Sequence, residues 1–405
     1  MSARLRNPPA APRYVNSVAP AAWPAVFAMG LGVFGLVGAE FLPASLLTPM
    51  AADLGVSEGM AGQAVTATAA AGLLASLAVP ALTRRVDRRR VLLALSVLLV
   101  AANLMVAAAP GLGVLLAGRL LLGVALGGFW ALATATVMRL VPEASVPKAL
   151  AIVVSGVSAA TVFAAPVGSW LGDLLGWRAV FVAAAGLGLV VLAVQAATLP
   201  ALPSRGRSSF AALGRLVVQP RIAVAMLAAL LVFTGQFGLF TYIRPFLEGV
   251  SGATAAAVPA VLLGFGIANF AGNYLGGFLL RRSMRLTLAA APLAIAVLAA
   301  VLAGLGGDLA ADAVLVALWG LAFGTVPVAW SAWIAHAAPE QAESAGGLLV
   351  ATINLAIATG AAAGGLVLDA SGVQAVFWVS GGLLALAAAV VVLGVRTEVA
   401  GRDAG

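Results

Sequence analysis

The chain has no cysteine and a single histidine, His336. That removes disulfides, thiol nucleophiles and thiolate metal sites, along with multi-histidine metal centres and most histidine-relay catalysis. Charge is scarce too. Asp, Glu, Lys and Arg make up only 9% of the 405 residues, where ordinary soluble domains carry about 25%. So few charges do not cover the surface of a soluble globule of this length. No GxxxxGK[ST] phosphate loop occurs, so ATP does not drive the protein directly. No cofactor and no metal are expected.

What is abundant is apolar sequence, at 63% of residues. Crossing the hydrocarbon of a bilayer takes about 20 apolar residues in a helix. Twelve runs qualify: Trp23–Leu47, Met60–Leu82, Val91–Ala109, Leu112–Met138, Ala149–Leu171, Ala179–Leu199, Ile222–Phe246, Ala255–Leu280, Leu286–Leu305, Ala313–Ala335, Ala345–Leu368 and Val373–Val395. All must be helices, because each backbone amide in lipid has to be paired within its own segment. The expected class is therefore an all-α integral membrane protein with twelve transmembrane helices.

The net charge of +8 would point to nucleic acid in a soluble protein. Here the cations follow the loops. Arg4, Arg6 and Arg13 precede the first run. Arg84, Arg85, Arg88, Arg89 and Arg90 fill the second loop. Arg139 and Lys148 lie in the fourth, Arg205, Arg207, Arg215 and Arg221 in the sixth, Arg281, Arg282 and Arg285 in the eighth, and Arg396 and Arg402 in the tail. All of these fall on one side of an even-numbered set of spans; the exceptions are Arg119, Arg178 and Arg244. Lys and Arg mark the cytoplasmic side. Both termini are therefore expected in the cytoplasm, and the basic character reflects orientation in a membrane, with no nucleic-acid partner. The first run is too long for a signal-peptide core, so no cleavage is expected.

The chain is doubled. Asp173 begins DLLGWRAVF and Asp369, 196 residues later, begins DASGVQAVF. ALTRRVDRRRVLL after span two echoes FLLRRSMRLTL after span eight at nearly the same offset. The expected organisation is a cytoplasmic segment at 1–22, a six-helix bundle at 23–199, a polar linker at 200–221, a second bundle at 222–395 and a tail at 396–405. Two parallel six-span halves with a site between them are the architecture of the major facilitators.

Spans three, six, nine and twelve are almost bare of polar residues, with Asn103 and Gln195 as the main exceptions. Spans one, four, seven and ten carry most of them, so these four should line a central cavity. Glu40, in GAEFLPASLLTPM, is the only acid well inside a span. Glu40 and Arg119 both lie roughly 10–15 Å below the outer surface, at about 1.5 Å per residue. Two readings stay open. The pair is a static tie within the bundle, or Glu40 exchanges a proton under the influence of Arg119. An intramembrane acid is a functional candidate by default. Arg119 and Trp130 share a helical face, as do Trp319, Phe323, Trp330 and Trp333, and Phe233, Gln236 and Phe240. With Tyr242 and Arg244, these aromatic and amide groups are either packing or a platform for a planar, uncharged, polar solute. His336 reads as an interfacial residue with no catalytic role.

LTRRVDRRRVLL after span two, GRLLLGVALGGFWA in span four and AAPVGSWLGDLLGWRAVF in span five resemble the drug:proton antiporter branch of the major facilitators. EFLPASLLTPMAADLGVSEGMAGQ, LGGFWALATATVMRLVP, GQFGLFTYIRPF and WGLAFGTVPVAWSAWI more closely resemble its bacterial purine ribonucleoside efflux members. The likeness runs from about Trp23 to Leu393. It implies a bacterial inner-membrane antiporter, exporting nucleosides such as inosine and guanosine in exchange for protons by alternating access. It places the span-four motif arginine on Arg119. The span-five antiporter motif falls on Gly156, Pro166 and Gly168, with Ala165 and Ser169 where glycines are usual. In the second-loop gating motif Arg85, Arg88 and Arg89 match. Pro80, Arg84 and Asp87 stand where a glycine, an aspartate and a glycine are usual; Asp87 offers a substitute acid for the gating latch.

The expected function is secondary active transport, with purine nucleoside and proton as partners, lipid as surroundings and a monomer as the unit. Export of sugars or hydrophobic drugs is the alternative in the same class. A channel or membrane enzyme is the remote alternative, weakened by the lack of a charged pore ring and of a nucleophile–base set.

Overall fold

The structure, a computed structural model, describes residues 21–203, 219–338 and 342–395, with side chains from 345 onward in the last stretch. Most of the N-terminal segment, the linker and the tail lie outside the described residues, and with them Arg4, Arg6, Arg13, Arg205, Arg207, Arg215, Arg396 and Arg402. The helices of the first half are α1 (Trp23–Ser45), α2 (Leu47–Leu54), α3 (Glu58–Leu82), α4 (Arg88–Ala107), α5 (Leu112–Leu140), α6 (Val146–Leu175) and α7 (Trp177–Thr198). Those of the second are α8 (Pro220–Thr241), α9 (Ile243–Gly249), α10 (Val258–Leu280), α11 (Met284–Leu305), α12 (Leu309–Ala337), α13 (Ala342–Ser371) and α14 (Val373–Gly394). Twelve of these are long and apolar enough to cross a bilayer.

Several spans start two to four residues before their apolar runs. The reason is capping. Ser57, Asp87, Ser283 and Asp308 each accept a backbone N–H of the first turn of α3, α4, α11 and α12, so these helices begin at polar residues. The other difference is that spans one and seven are each broken near the end remote from the basic loops. The breaks fall at Leu46 and Tyr242, again 196 residues apart. The duplication therefore extends to the irregularities of the helices.

Packing repeats as well. α3 lies along α5, and α10 lies along α12. Both approaches depend on glycine pairs spaced by four. A Cβ on Gly123 or Gly127 would run into the carbonyl oxygens of Thr68 and Gly72, and one on Gly320 or Gly324 into those of Phe265 and Asn269. Without a hydrophobic force between helices in lipid, such backbone contact supplies the attraction. Gln195, the polar exception of span six, is fully buried. It accepts from Ser96 Oγ at 2.7 Å and donates to the Ala28 carbonyl at 3.4 Å, tying α7 to α4 and α1. Asn103 turns back on its own helix, to the Leu99 carbonyl at 2.8 Å.

The two halves meet along α3 with α13 and α6 with α10. Outside the spans, Asp53 at the end of α2 accepts from Arg178 and, at 3.2 Å, from Trp177 Nε1. The Arg178 hydrogen bond holds the Asp53 carboxyl below the usual carboxylate range. A depressed folded-state value stabilises above the ordinary range, and that stability is lost as pH falls through it. Both partners are about half exposed, so the contribution is under about 1 kcal/mol.

Candidate functional site

The site begins with a proline. Pro43 sits inside α1 and has no N–H, so the carbonyl of Ala39 lacks its helical donor. In lipid that carbonyl still needs one. Arg119, on the second turn of α5, supplies it. Its Nη1 donates to Ala39 O at 2.8 Å, Nη2 to Glu40 O at 3.1 Å and Nε to Ala64 O at 3.2 Å. The guanidinium is fully buried and joins α1, α3 and α5. The Ala64 carbonyl also accepts from Thr68 Oγ1 at 3.0 Å.

Arg119 therefore lies level with Glu40, but the two form no direct ion pair. Arg119 bonds backbone carbonyls, and the Glu40 carboxylate accepts no hydrogen bond and forms no ion pair among the described residues. Glu40 feels Arg119 through space. The side chain keeps 9% of its surface exposed. It is thus buried, close to a cation, and uncommitted.

In the second half the residue 196 positions after Glu40 is Gln236 on α8, and Phe237 follows it as Phe41 follows Glu40. The acid of one half has the amide of the same shape in the other. Gln236 Oε1 accepts from Trp319 Nε1 at 2.7 Å. Trp319 meets Phe265 and Phe377 edge-on, at 5.1 and 6.3 Å between ring centres. Phe240 tilts on Phe265 at 5.3 Å and meets Phe41 edge-on at 5.6 Å across the two halves. Phe41 was missed in the sequence, although its adjacency to Glu40 and the repeat with Phe237 are signals for it.

Other expected site residues take different places. Trp319 and Trp330 are each 1% exposed, packed inside the second half, with Trp330 edge-on to Trp333 at 6.0 Å. Their stripe is packing in this conformation. Trp130 stays half-buried at the edge of the first half's core. Tyr242 is fully buried, wedged between α3 and α13, and donates to Ala361 O at 2.7 Å. A Cβ on Gly62 would strike its hydroxyl. Arg244 is consumed by a network: Nε to Glu248 at 2.8 Å, Nη1 to Ser45 O at 2.7 Å and to Ser169 Oγ at 3.2 Å, Nη2 to Asp173 at 3.0 Å. Expected as solute ligands, Tyr242 and Arg244 instead bind the halves together. A second bond set does the same beside them, where Asp369 accepts from Ser57 Oγ at 2.7 Å and Gly59 N at 3.2 Å. The echoed aspartates, Asp173 and Asp369, thus each reach across to the opposite half.

Of the expected gating residues of the second loop, Arg88 and Arg89 bond within the first half. Asp87 caps α4 and accepts from Leu202 N at 3.0 Å, at the start of the linker. Arg88 Nη1 donates to Thr83 Oγ1 at 2.9 Å and Arg89 Nη2 to Ala196 O at 2.7 Å, while Arg85 is exposed. Asp87 is not a latch between the halves in this conformation. Gly156 abuts Gly30 of α1, and Gly168 abuts Leu42. Pro166 frees the carbonyl of Val162, which lies against Gly266 of α10, at the seam.

Twelve spans in two like halves, closed on each other at one end, with an uncommitted acid buried near the seam, define a carrier that moves solutes across a membrane by rearranging its halves. The family model of the Major Facilitator Superfamily matches residues 23–349. The purine ribonucleoside efflux pump NepI of Salmonella paratyphi B is 45% identical over 381 residues, covering 94% of this chain and 96% of that protein. NepI of Salmonella typhi matches with the same identity and coverage. Among solved structures, a bacterial homolog to the human lysosomal transporter Spinster, inward-facing and unoccupied, superposes with a TM-score of 0.78. The identity is 17%, over 94% of this chain and 98% of that one. An occupied inward-facing form gives 0.75 at 17% identity, over 92% and 96%. The chain belongs to the major facilitator superfamily, and it is a multi-pass membrane transporter.

Proposed function

We propose that this protein exports purine ribonucleosides such as inosine and guanosine from a bacterial cytoplasm, in exchange for protons, by alternating access. It works as a carrier with no cofactor, in the inner membrane, with both termini and the basic loops on the cytoplasmic side. The seam closed by Arg244 and Asp369 then faces outward, and the solute enters from the cytoplasmic end. One observation carries the proton coupling: Glu40 is a buried acid whose carboxylate is bonded to nothing among the described residues, near a guanidinium whose described bonds go elsewhere. The solute class rests on the efflux pumps that are 45% identical to it over 381 residues. Gln236 supports it with an amide near the seam that can bond a base edge or a ribose hydroxyl, and Trp130 with a half-open aromatic face.

Reconstitution tests the proposal. The protein in proteoliposomes should release protons on addition of inosine or guanosine, with saturation and counterflow, and should not respond to a panel of sugars or hydrophobic cations. A response confined to the sugars or the drugs would move the assignment to those solutes; flux without saturation would make it a channel.

Orientation is checked by cysteine labelling, for which a cysteine-free chain is a clean background. In whole cells an impermeant thiol reagent should modify Ala52→Cys on α2 and spare Arg90→Cys, both exposed positions. The reverse pattern would invert the topology.

Of the tryptophans expected as ligands, we assign base stacking to Trp130, which stays half-buried, over Trp319 and Trp330. Trp130→Leu should weaken nucleoside affinity about tenfold, or ~1.4 kcal/mol, within the range for aromatic stacking on a base. Trp330→Leu should lower thermal stability and leave affinity nearly unchanged. Equal binding by wild type and Trp130→Leu would assign Trp130 to packing as well.

A further inference from the structure

We propose that Pro43 is a positioning residue for proton coupling: by freeing the Ala39 carbonyl it engages Arg119 with the main chain and leaves the Glu40 carboxylate free to titrate. The proposal rests on the reading of Glu40 as the coupling acid.

A regular helix would close an amide at position 43 on the carbonyl of Ala39. Proline removes that donor. Arg119 Nη1 fills the vacancy at 2.8 Å, while Nη2 and Nε take the neighbouring carbonyls of Glu40 and Ala64. A guanidinium is a rigid planar fork, so two bonds to α1 and one to α3 fix its plane. The result is a cation close enough to act on Glu40 and yet bonded to the peptide next to the acid. Protonating or deprotonating the carboxylate then breaks no direct hydrogen bond. Had Arg119 gripped the carboxylate itself, discharging Glu40 would require breaking a buried charged pair, a costly step.

The second half is an internal comparison. Counting the same 196 residues forward, Glu40 becomes Gln236 and Pro43 becomes Leu239, which has an N–H. Arg119 becomes Leu315, or Val316 by the offset of the paired glycines; either is aliphatic. Proline, arginine and acid are present together in one half and absent together from the other. Among the described residues of the elements packed against α1, Arg119 is the charged side chain that acts on Glu40. Asp173, Arg244 and Glu248, toward the same end, are engaged with one another at the seam.

In Pro43→Ala the new amide at position 43 competes for the Ala39 carbonyl. Arg119 Nη1 is then released toward the Glu40 carboxylate, which accepts no hydrogen bond among the described residues and interacts with it through space. A bonded cation favours the ionised acid, so the proton should leave at lower pH. The full chain is reconstituted in phosphatidylethanolamine–phosphatidylglycerol vesicles and titrated by infrared difference spectroscopy. The carboxylic-acid carbonyl band that vanishes in Glu40→Gln reports Glu40 directly, whatever the transport rate.

The midpoint of that band in Pro43→Ala should fall by about one pH unit or more. Pro43→Gly, which also restores an amide, should move it in the same direction. Pro292→Ala, another proline within a helix but on α11 away from the site, should leave it in place. An unmoved midpoint in folded Pro43→Ala and Pro43→Gly overturns the role of Pro43 while leaving Glu40 as the coupling acid. Loss of no titrating band in Glu40→Gln overturns the reading of Glu40 itself, and the proposal with it.

Discussion

Glu40→Gln should abolish pH-driven uphill efflux while leaving nucleoside binding intact. Burial disfavours a charged carboxylate and a nearby guanidinium favours it. A conformational change that alters the water around Glu40, or its distance from Arg119, therefore takes up or releases a proton. That couples an uncharged solute to the proton gradient without the solute carrying charge. Glutamine has the same shape and hydrogen-bonding reach but no proton to exchange, and the structure already holds glutamine at the equivalent place, Gln236. Each coupled proton across about one pH unit is worth ~1.4 kcal/mol, a tenfold solute ratio. In proteoliposomes with an imposed pH gradient, the variant's ratio should fall to one, while radiolabelled nucleoside exchange across the same vesicles persists. Wild-type accumulation by a folded Glu40→Gln protein would make the acid a structural element only.

The second large effect concerns the closed seam. Arg244 is 3% exposed and its donors join α9 to α1 and α6, that is, one half to the other. Arg244→Met keeps the length and removes every donor. It leaves Asp173 and Glu248 without their cation; these are about a fifth exposed, so water recovers part of the loss. Removing one partner of a fully buried pair costs about 3–5 kcal/mol; with that partial solvation, about 2 kcal/mol is expected to leave the closed state, or ~30-fold in the equilibrium. Such a shift is enough to expose a minor conformation. Spin labels on Ala52→Cys and Ser371→Cys, exposed positions on opposite halves at this end, should show a longer-distance population in Arg244→Met. Asp173→Asn should act in the same direction and add little to Arg244→Met, because both act on one network. A distance distribution identical to wild type would show that the seam is held by packing, through Tyr242 and the glycines against it, and not by Arg244.

The sequence by itself determined the twelve spans, the duplication, the side on which cations gather and the common depth of Glu40 and Arg119. The duplication is read by comparing segments; each of the others depends on one segment meeting the bilayer alone. Hydrocarbon demands length and apolarity of every helix separately, charge sorts loop by loop, and depth follows from counting residues. What only the tertiary structure decided is which way each helix turns and what each polar atom meets. Trp319 and Trp330 lie on a polar-bearing span, yet their faces turn into the second half. Tyr242 and Arg244 stand beside the same helix break that duplicates Leu46, but Tyr242 bonds Ala361 of its own half and packs on Gly62 of the other, and Arg244 is claimed by Ser45 and Asp173 of the other half. Arg119 was visible as a cation within a span; Pro43, inside span one, was not singled out, although a proline there removes a helical donor. That the proline leaves a carbonyl for the arginine, and so leaves Glu40 unbonded, follows from the contact of α1 with α5. A rotation about a helix axis changes neither hydropathy nor depth, so it leaves no trace in a sequence read span by span; it is set by the packing of helices against one another.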